Sequence, residues 1–461
     1  MSQAWARLLP QRSSRADQPS DPSRGGGSGV RVVGRALRRV AMVSLHTSPT
    51  DAPGSGDAGG LNVYVRELSR RLADRGIEVD VYTRATSPLV PPVVELTPGV
   101  RVRSVVAGPY DGLSKADLPG QLLPFAREVL RTQPLLPDRG YDVVHSHYWL
   151  SGQVGAVLAD HWGVPLVHAM HTMAKVKNDA LAVGDAREPY ARVVGEEQVV
   201  EASDLLVANT DGEAGVLVER YGARRERVAV VSPGVDLGAF GAQRGGGRAV
   251  ARRRLGLPAP ADVLLFVGRL QPLKGPDVLL RSAAALLAAR PELRGRLVVP
   301  IVGGPSGNGT EYVEALGKLA ADLGLADVVR FVPPAAHHDL ADWYTAATVV
   351  AVPSHSESFG LVALEAQAAG TPVVAARVGG LPVAVRDGRS GVLVDGHDPV
   401  EWAGQLARLL DDKRRLAVMG AAARTHAAGF GWDRTTDETV QVYHDAILLP
   451  SQLDDALALT S

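Results

Sequence analysis

Short apolar runs alternate with longer amphipathic segments along the first half of the chain. The runs are rich in β-branched residues and apolar on both faces, which is typical of parallel strands covered by helices on both sides. They are RVAMVSL (39–45), VDVYTR (79–84), VRVRSVVAG (100–108), DVVHSHY (142–148), PLVHAMHT (165–172), LLVANT (205–210) and VAVVSPG (228–234). Helical patterns separate them, such as LNVYVRELSRRLADRG, in which Gly76 is placed to end the helix.

The same alternation resumes in the second half of the chain. Further strand-like runs are VLLFVGRL (263–270), RLVVPIVGG (296–304), VVRFVPP (328–334), VVAVPS (349–354), PVVAARVGG (372–380) and GVLVD (391–395). Helical segments are expected at about 277–290, 311–323, 337–347, 360–369 and 400–411. The sequence therefore predicts an α/β protein with two doubly wound, Rossmann-like domains.

Composition places the domain boundaries. Residues 1–37 are rich in Ser, Arg, Gly, Pro and Asp and are expected to be disordered, while the Gly-, Arg- and Pro-rich stretch 235–262 is expected to be a linker. The remaining division is a first domain over 38–234, a second over 263–412, C-terminal helices over 413–447 that return towards the first domain, and a tail over 448–461. Because ligands of such sheets bind beyond the carboxyl ends of the strands, the cleft between two facing domains is the predicted site.

Composition and charge also exclude several classes of function. The chain contains no cysteine, which excludes disulfides and thiolate metal sites. The formal net charge of −1 gives no general attraction to nucleic acid or to an anionic membrane. No apolar run reaches the ~18 residues of a membrane span. The N-terminus lacks the apolar core of a signal peptide, so a cytoplasmic location is expected.

The stretch SGDAGGLNVYV (55–65) connects the first predicted strand to a helix through many small residues. Gly56, Gly59 and Gly60 have no Cβ, so their backbone amides can approach a ligand closely. At the start of a helix, such amides suit an anionic or hydroxyl-rich group. The residues alone leave a second interpretation open, in which the glycines only make a tight turn.

Four charged side chains of the second domain lie where a nucleotide sugar can be bound. Arg269 and Lys274 follow a strand and precede a helix, where two cations can neutralise a diphosphate, although ordinary surface charge is the alternative. Glu357 lies in a later loop, and Glu365 lies in the helix that begins near Gly360. Carboxylates accept paired hydrogen bonds from vicinal hydroxyls, so one can bind ribose and the other a hexose.

Longer motifs resemble those of a known enzyme family. GRLQPLKG and PSHSESFGLVALEAQAAGTPVVA resemble the nucleotide-sugar half of the retaining GT-B glycosyltransferases related to sucrose-phosphate synthase. HTSPTDAPGSGDAGGLNVYV, YDGLSKADL, HSHYWLSGQVG and HAMHTMAKVKN resemble the D-inositol-3-phosphate glycosyltransferases of mycothiol biosynthesis, and the resemblance extends from about residue 38 to about residue 445. It implies a GT-B fold, UDP-N-acetylglucosamine as donor, 1D-myo-inositol 3-phosphate as acceptor, and a homodimer.

The resemblance also implies roles for the residues at matching positions. The donor would contact Ala52, Pro53, Gly60, Arg269, Lys274, Ala335, Glu357 and Glu365. The inositol hydroxyls would contact His46, Asp57, Ala58, Gly59, Gly60, Leu61 and Asn62, and the phosphate would contact Lys115, Tyr148, Thr172 and Arg192. Arg269, Lys274 and Glu357 would take part in catalysis, with His171 in a supporting role. A structural Mg²⁺ would be held, largely through backbone oxygens, by Tyr344, Thr345, Ala347 and Thr371.

Other interpretations stay open at this point. A GT-B transferase with another acceptor, such as a hexose phosphate, shares part of the first-domain pattern. A sugar-binding protein without catalysis would not need the two cations together with the two carboxylates, and a Rossmann dehydrogenase would need G-x-G-x-x-G after the first strand. Lys115 taken alone is typical of an ordinary loop lysine, and His145, His147 and His168 are expected to be packing residues in strands rather than metal ligands.

Overall fold

The computed structural model describes residues 36–458, except positions 53, 55 and 57 and the segments 133–139, 183–184, 242–245 and 307–309. The extension predicted to be disordered, residues 1–37, thus lies almost wholly outside the described residues. Two parallel sheets, one in each half of the chain, form the centre of the molecule.

The first sheet has the strand order β3-β4-β2-β1-β5-β6-β7-β8. Its strands are β1 (Arg39–Val43), β2 (Glu78–Arg84), β3 (Val93–Thr97), β4 (Val100–Val105), β5 (Val143–His147), β6 (Leu166–Ala169), β7 (Leu205–Ala208) and β8 (Val228–Val230). All neighbours are parallel except β3 and β4, which form an antiparallel edge. Strands β1, β5, β6 and β7 are buried at every residue, as expected for a sheet with helices on both faces.

Helices cover both faces of this sheet. They are α1 (Gly60–Asp74), α2 (Leu122–Thr132), α3 (Trp149–Trp162), α4 (Ala174–Asp179), α5 (Tyr190–Ala202) and α6 (Asp211–Tyr221). Helix α6 begins where the Thr210 hydroxyl accepts a hydrogen bond from the amide of Glu213, which satisfies one of the free N–H groups of its first turn. The stretch predicted to be a linker contains α7 (Leu237–Phe240) and α8 (Gly247–Arg254).

The second sheet has the strand order β11-β10-β9-β12-β13-β14, which is the order of a Rossmann fold. Its strands are β9 (Asp262–Val267), β10 (Leu297–Val302), β11 (Val329–Val332), β12 (Val349–Val352), β13 (Val373–Ala376) and β14 (Gly391–Val394), and all neighbours are parallel. The helices are α9 (Pro276–Ala289), α10 (Glu311–Asp322), α11 (His337–Ala346), α12 (Leu361–Ala368), α13 (Leu381–Ala384), α14 (Pro399–Asp411) and α15 (Lys413–Ala427).

The last helix, α16 (Trp432–Ala458), returns to the first domain. Trp432 and Tyr443 are buried in the same core cluster as strands β1, β2 and β5. The Trp432 backbone lies so close to Gly234 that a Cβ at Gly234 would be 2.6 Å from it. The region predicted as a tail after residue 447 continues this helix as far as Ala458.

The predicted fold class is confirmed, and one strand was missed. Strand β3 pairs antiparallel at the edge of the sheet and leaves Val93 45% exposed. Its sequence, VVELT, therefore lacks the two apolar faces that marked the other strands. Within the described residues, no helix is long and apolar enough to cross a membrane.

Candidate active site

The carboxyl ends of the two sheets face each other across one cleft, and residues that follow strands of both sheets line it. In each sheet the chain changes direction across the sheet between two neighbouring strands. These are β1 and β5 in the first sheet and β9 and β12 in the second, and ligands of such folds bind at these switch points. Of the residues predicted from the sequence, the lining includes His46, Gly59, Gly60, Leu61, Lys115, Tyr148, His171, Thr172, Arg269, Lys274, Ala335, Tyr344, Glu357 and Glu365.

The glycine-rich loop bridges the two domains. The amide of Gly304 donates to the carbonyl of Gly54 at 2.9 Å, and the amide of Gly56 donates to the carbonyl of Pro305 at 2.9 Å. Arg269 approaches the same loop, because its Nη1 lies 3.4 Å from the Gly56 carbonyl. A Cβ at Gly59 would lie 3.3 Å from Nε of Arg269, so the missing side chain leaves room for this cation.

Asn62 shapes the loop instead of lining the cleft. Its side-chain oxygen accepts from the amide of Gly59 at 2.9 Å, and its Nδ2 donates to Thr47 Oγ1 at 2.6 Å and to the Ser48 carbonyl at 2.5 Å. The side chain is 2% exposed, so these bonds use its donors and an acceptor lone pair inside the protein. The structure therefore gives Asn62 the task of holding the loop against the start of α1.

A cationic cluster surrounds Tyr148 on the first-domain wall. Lys115 Nζ lies 4.7 Å from the centre of the Tyr148 ring, Cζ of Arg192 lies 5.0 Å from it, and the His46 ring lies 4.5 Å from it. Both cations are within range of a cation–π interaction. Tyr148 has φ of 73°, a strained value for a residue with a Cβ. Such a cluster can attract a ligand phosphate.

Arg192 is buried behind Thr172 and held in a fixed direction. Its Nε donates to Glu196 at 2.7 Å, its Nη1 lies 2.9 Å from Glu188, and its Nη2 donates to Thr172 Oγ1 at 2.9 Å. Burial lowers the pKa of Arg192, but Tyr148 and the two carboxylates outweigh burial and raise it. The guanidinium is therefore charged, and the hydroxyl of Thr172 beside it lies on the cleft.

Lys274 and Glu357 form the centre of the opposite wall. Lys274 Nζ lies 2.6 Å from Glu357 Oε2, and Ser354 Oγ donates to the same oxygen at 3.2 Å. The lysine is placed by a tight turn at Gly275, where φ is 64° and a Cβ would lie 2.2 Å from the carbonyl of Pro353. A cation, a carboxylate and the nearby Arg269 can together bind the diphosphate and hydroxyls of a nucleotide sugar.

Glu365 is a buried carboxyl group at the same wall. Its Oε2 accepts from the hydroxyl of Tyr344 at 2.7 Å, and the residue is 8% exposed. Burial raises the pKa of Glu365 to about 7, against the opposing effect of the Tyr344 hydrogen bond. A carboxylate that is poorly solvated in this way gains strongly from hydroxyl donors of a ligand.

His171 lies between the two walls. Its Nε2 is 3.0 Å from His147 Nδ1, and its backbone carbonyl accepts a hydrogen bond from Ser358 Oγ of the second domain. Its φ of 58° makes it, with Tyr148, one of two non-glycine residues with positive φ in the described part of the chain. Burial lowers the pKa of His171 to about 4, so the ring is neutral at pH 7.

The predicted magnesium position has a cationic environment. The Tyr344 carbonyl accepts from Thr371 Oγ1 at 2.7 Å, Arg248 Nε lies 3.4 Å from the Thr345 carbonyl, and Arg252 Nε donates to the Ala346 carbonyl at 3.0 Å. Guanidinium groups repel a divalent cation, and no group of three or more His, Cys, Asp or Glu residues that could hold a metal occurs among the described residues. Mg²⁺ at this position stays a prediction, and no step of the reaction is assigned to a metal.

The remaining predicted residues lie outside the lining of the cleft. They are Ala52, Ala58, Asn62, Arg192, Thr345, Ala347 and Thr371. Pro53 and Asp57 lie outside the described residues.

The cleft is also lined by residues that the sequence did not indicate, among them Tyr64, Asn209, Gly303 and Ser358. Asn209 and Gly303 lie near the ends of the predicted runs 205–210 and 296–304 and directly follow β7 and β10 in the structure, and that position was the available signal. Tyr64 lies inside a helix, where only the fold shows that it faces the cleft.

Family comparisons agree with the two-domain division of the cleft. Residues 59–234 match the family described as "Glycosyl transferase 4-like domain", and residues 248–426 match "Glycosyl transferases group 1".

Close relatives cover almost the whole chain. A D-inositol 3-phosphate glycosyltransferase from a Nocardioides species is 60% identical over 452 residues, which are 94% of this chain and 98% of the relative. One of the same name from Thermobispora bispora is 62% identical over 413 residues, which are 90% of this chain and 96% of the relative. Among solved structures, sucrose-phosphate synthase from Thermosynechococcus elongatus matches with a TM-score of 0.78 and 31% identity, covering 92% of this chain and all of the other.

Proposed function

The chain belongs to the family of D-inositol 3-phosphate glycosyltransferases, and we propose that it transfers N-acetylglucosamine from UDP-N-acetylglucosamine to 1D-myo-inositol 3-phosphate. The configuration of the sugar is retained, UDP is released, and the product is the N-acetylglucosaminyl-inositol phosphate precursor of mycothiol. One observation supports this proposal above all. A cluster of cations on one wall of the cleft faces a cluster of cations and carboxylates on the other.

The first-domain wall suits a phosphorylated polyol. Lys115 and Arg192 flank the Tyr148 ring, and Thr172 adds a hydroxyl, so a dianionic phosphate finds two charges and neutral donors in one place. The inositol ring would then lie towards His46 and the glycine-rich loop, whose backbone can approach its hydroxyls. A polyol without phosphate would place no negative charge beside Lys115 and Arg192.

The second-domain wall suits a UDP-sugar. Arg269 and Lys274 would neutralise the diphosphate, Glu357 would bind the hydroxyls of N-acetylglucosamine, and Glu365 would bind those of ribose. Ala335 lines the cleft after β11, where its backbone would meet the uracil. The two carboxylates thus divide the two sugars of the donor between them.

The chemistry then depends on position and charge. The acceptor hydroxyl attacks the anomeric carbon from the face that UDP leaves, the bond from that carbon to the diphosphate oxygen breaks, and a leaving phosphate oxygen takes the hydroxyl proton. Arg269 and Lys274 stabilise the negative charge that grows on the leaving group. Bound in one cleft, the two substrates react without a covalent intermediate on the protein.

The test is UDP release from UDP-N-acetylglucosamine in the presence of a panel of acceptors. The panel holds 1D-myo-inositol 3-phosphate, free inositol, fructose 6-phosphate and no acceptor. Release with inositol 3-phosphate alone is the expected result. Release with free inositol at the same rate would contradict the assignment of Lys115 and Arg192 to the phosphate.

The similarity to sucrose-phosphate synthase favours one second candidate, a transferase that uses a hexose phosphate. Both acceptors bring a phosphate to the same wall, and release with fructose 6-phosphate alone would support this candidate.

Two further expectations stay predictions, namely a homodimer and a cytoplasmic location. Light scattering of the purified protein measures the first, and fractionation of cells measures the second.

A further inference from the structure

His147 is the last residue of β5 and is 0% exposed. Its Nδ1 lies 3.0 Å from Nε2 of His171, so one of these nitrogens carries the hydrogen and the other accepts it. Burial lowers the pKa of both rings, which therefore remain neutral and each carry a single N–H. Two arrangements of the hydrogens are possible for such a pair, and they present different groups to the cleft.

The other nitrogen of His147 distinguishes the two arrangements. Nε2 of His147 is buried and has no hydrogen-bond partner among the described residues. If this atom carried the hydrogen, the protein would contain a buried N–H without an acceptor, which is rarer in folded proteins than an unpaired acceptor. The hydrogen of His147 is therefore favoured on Nδ1, from which it is donated to His171.

The consequence concerns His171. Its Nε2 accepts, so its own hydrogen must be on Nδ1, and no hydrogen bond of that atom occurs within the described residues. The ring lines the cleft and packs against the Tyr64 ring at a centroid distance of 5.0 Å with an interplanar angle of 76°, and the backbone carbonyl of His171 accepts a hydrogen bond from Ser358 Oγ. The ring and the backbone of His171 are thus held by different contacts. The orientation of the ring then sets the direction of its Nδ1–H.

We propose that His147 is a positioning residue, whose Nδ1–H fixes the tautomer in which His171 presents Nδ1–H to an oxygen of the donor hexose. The proposal rests on the proposed function, because it takes the hexose of a nucleotide sugar as the ligand of this donor. His147 touches no substrate and acts only through His171.

The first experiment reads the tautomer directly. The full-length protein is labelled with ¹⁵N-histidine, and the ring nitrogens of His171 are identified by their loss in His171→Gln. The expected spectrum shows a protonated, pyrrole-type Nδ1 and an unprotonated, pyridine-type Nε2. A protonated Nε2 would overturn the proposal, and this readout holds whether or not the proposed transfer reaction is observed.

The second experiment uses variants with the natural donor. Asparagine places an amide N–H near the position of Nδ1, whereas leucine offers none. His147→Asn should therefore keep the tautomer and most of kcat, and His147→Leu should lose both, with kcat falling on the order of 100-fold and UDP affinity unchanged. Equal kcat in the two variants would contradict the proposal, and if the leucine variant does not fold, the wild-type spectrum and the asparagine variant decide.

His145→Asn is the matched control. His145 is equally buried and its ring lies 4.2 Å from that of His147 at a tilt of 46°, but its Nδ1 is hydrogen-bonded to the hydroxyl of Tyr443 at 2.7 Å. This variant should leave the His171 spectrum unchanged. A change of tautomer there would mean that general packing, and not the His147 hydrogen bond, sets the state of His171.

Discussion

A single residue, Glu365, should make the affinity for the donor depend on pH. Burial holds its pKa at about 7 in the free protein, so the carboxyl is largely protonated at pH 6 and largely ionised at pH 8. Ribose hydroxyls donate to the ionised form, so UDP affinity should rise with pH across this range, by up to about tenfold per unit below the pKa. Calorimetric titration with UDP between pH 6 and pH 8 measures this.

UDP itself has a phosphate that titrates near pH 6, so a baseline is needed. Glu365→Gln removes the protein's contribution and should weaken UDP and flatten the profile to that of the ligand. Glu357→Gln keeps Glu365 and should keep the rise, while weakening UDP-N-acetylglucosamine more than UDP. The same rise with pH in Glu365→Gln would show that another group is responsible.

Lys115 leads to a second prediction at this scale. It lies 4.7 Å from the Tyr148 ring, on the wall assigned to the acceptor, and it lines the cleft. Lys115→Ala should raise KM for inositol 3-phosphate at least about tenfold, the loss of one charged hydrogen bond, and leave UDP affinity nearly unchanged. Steady-state kinetics and calorimetry measure the two quantities. Lys318→Ala, on the exposed side of α10, is the control that should change neither.

The sequence predicted which residues lie near the cleft better than it predicted what their side chains contact. Arg269, Lys274 and Glu357 were predicted by their positions after strands, and all three line the cleft. Asn62 was predicted beside them, but its amide is used within the protein. The sequence does not distinguish a short polar side chain that binds a ligand from one that forms hydrogen bonds within the protein, because partners such as Thr47 are distant from Asn62 in the sequence.

At the scale of elements, the loop that holds Glu357 depends on a close approach by Gly379. A Cβ on Gly379 would lie 1.9 Å from the carbonyl of Glu357, and φ there is 52°. Gly379→Ala should displace the loop, raise KM for the nucleotide sugar and lower the free energy of unfolding by more than the about 1 kcal/mol that positive φ alone costs. Kinetics and denaturant titration measure both effects.

Gly388 provides the matched control for this prediction. Its φ is 71°, and a Cβ there would meet nothing within 4 Å. Gly388→Ala should therefore show only the cost of the backbone conformation and leave KM unchanged. If the two variants lost equal stability and equal activity, the contact with Glu357 would have no part in holding the loop.

Helices and strands with a clear hydrophobic pattern could be predicted from the sequence. Those whose position depends on tertiary contacts were predicted less well. The buried parallel strands are apolar on both faces, so their pattern is clear. Strand β3 is half exposed, and its pairing with β4 depends on the turn between them. The end of α16 was also placed too early, since the helix continues past residue 447 to Ala458.

At the scale of the whole molecule, the cleft exists because the two domains contact each other. The glycine-rich loop is bonded to residues 304–305 of the second domain, and Ser358 donates to the carbonyl of His171. The sequence could predict that both walls were needed, since each half contained its own motif. It could not predict these bridging contacts, because most of them are formed by backbone N–H and C=O groups, which almost every residue type has.

The C-terminal helix is the second connection between the halves, and its contribution can be measured. Trp432 is 2% exposed and contacts Tyr64 edge to face at 5.6 Å, and Tyr64 in turn contacts His171. Trp432→Ala should cost about 3–5 kcal/mol, the usual loss for a buried tryptophan. Because Trp432 lies in the first-domain core, hydrogen exchange should accelerate in β5 and β6 and leave β12 and β13 protected.

Trp402→Ala makes this prediction specific. Trp402 is 0% exposed and belongs to the core of the second domain, so its removal should cost a similar free energy but accelerate exchange in the second sheet. Only Trp432→Ala should also lower kcat, because only that tryptophan supports Tyr64 behind His171. If both variants accelerated exchange in the same sheet, α16 would be part of the second domain in energetic terms, and its return to the first domain would have no role in forming the active site.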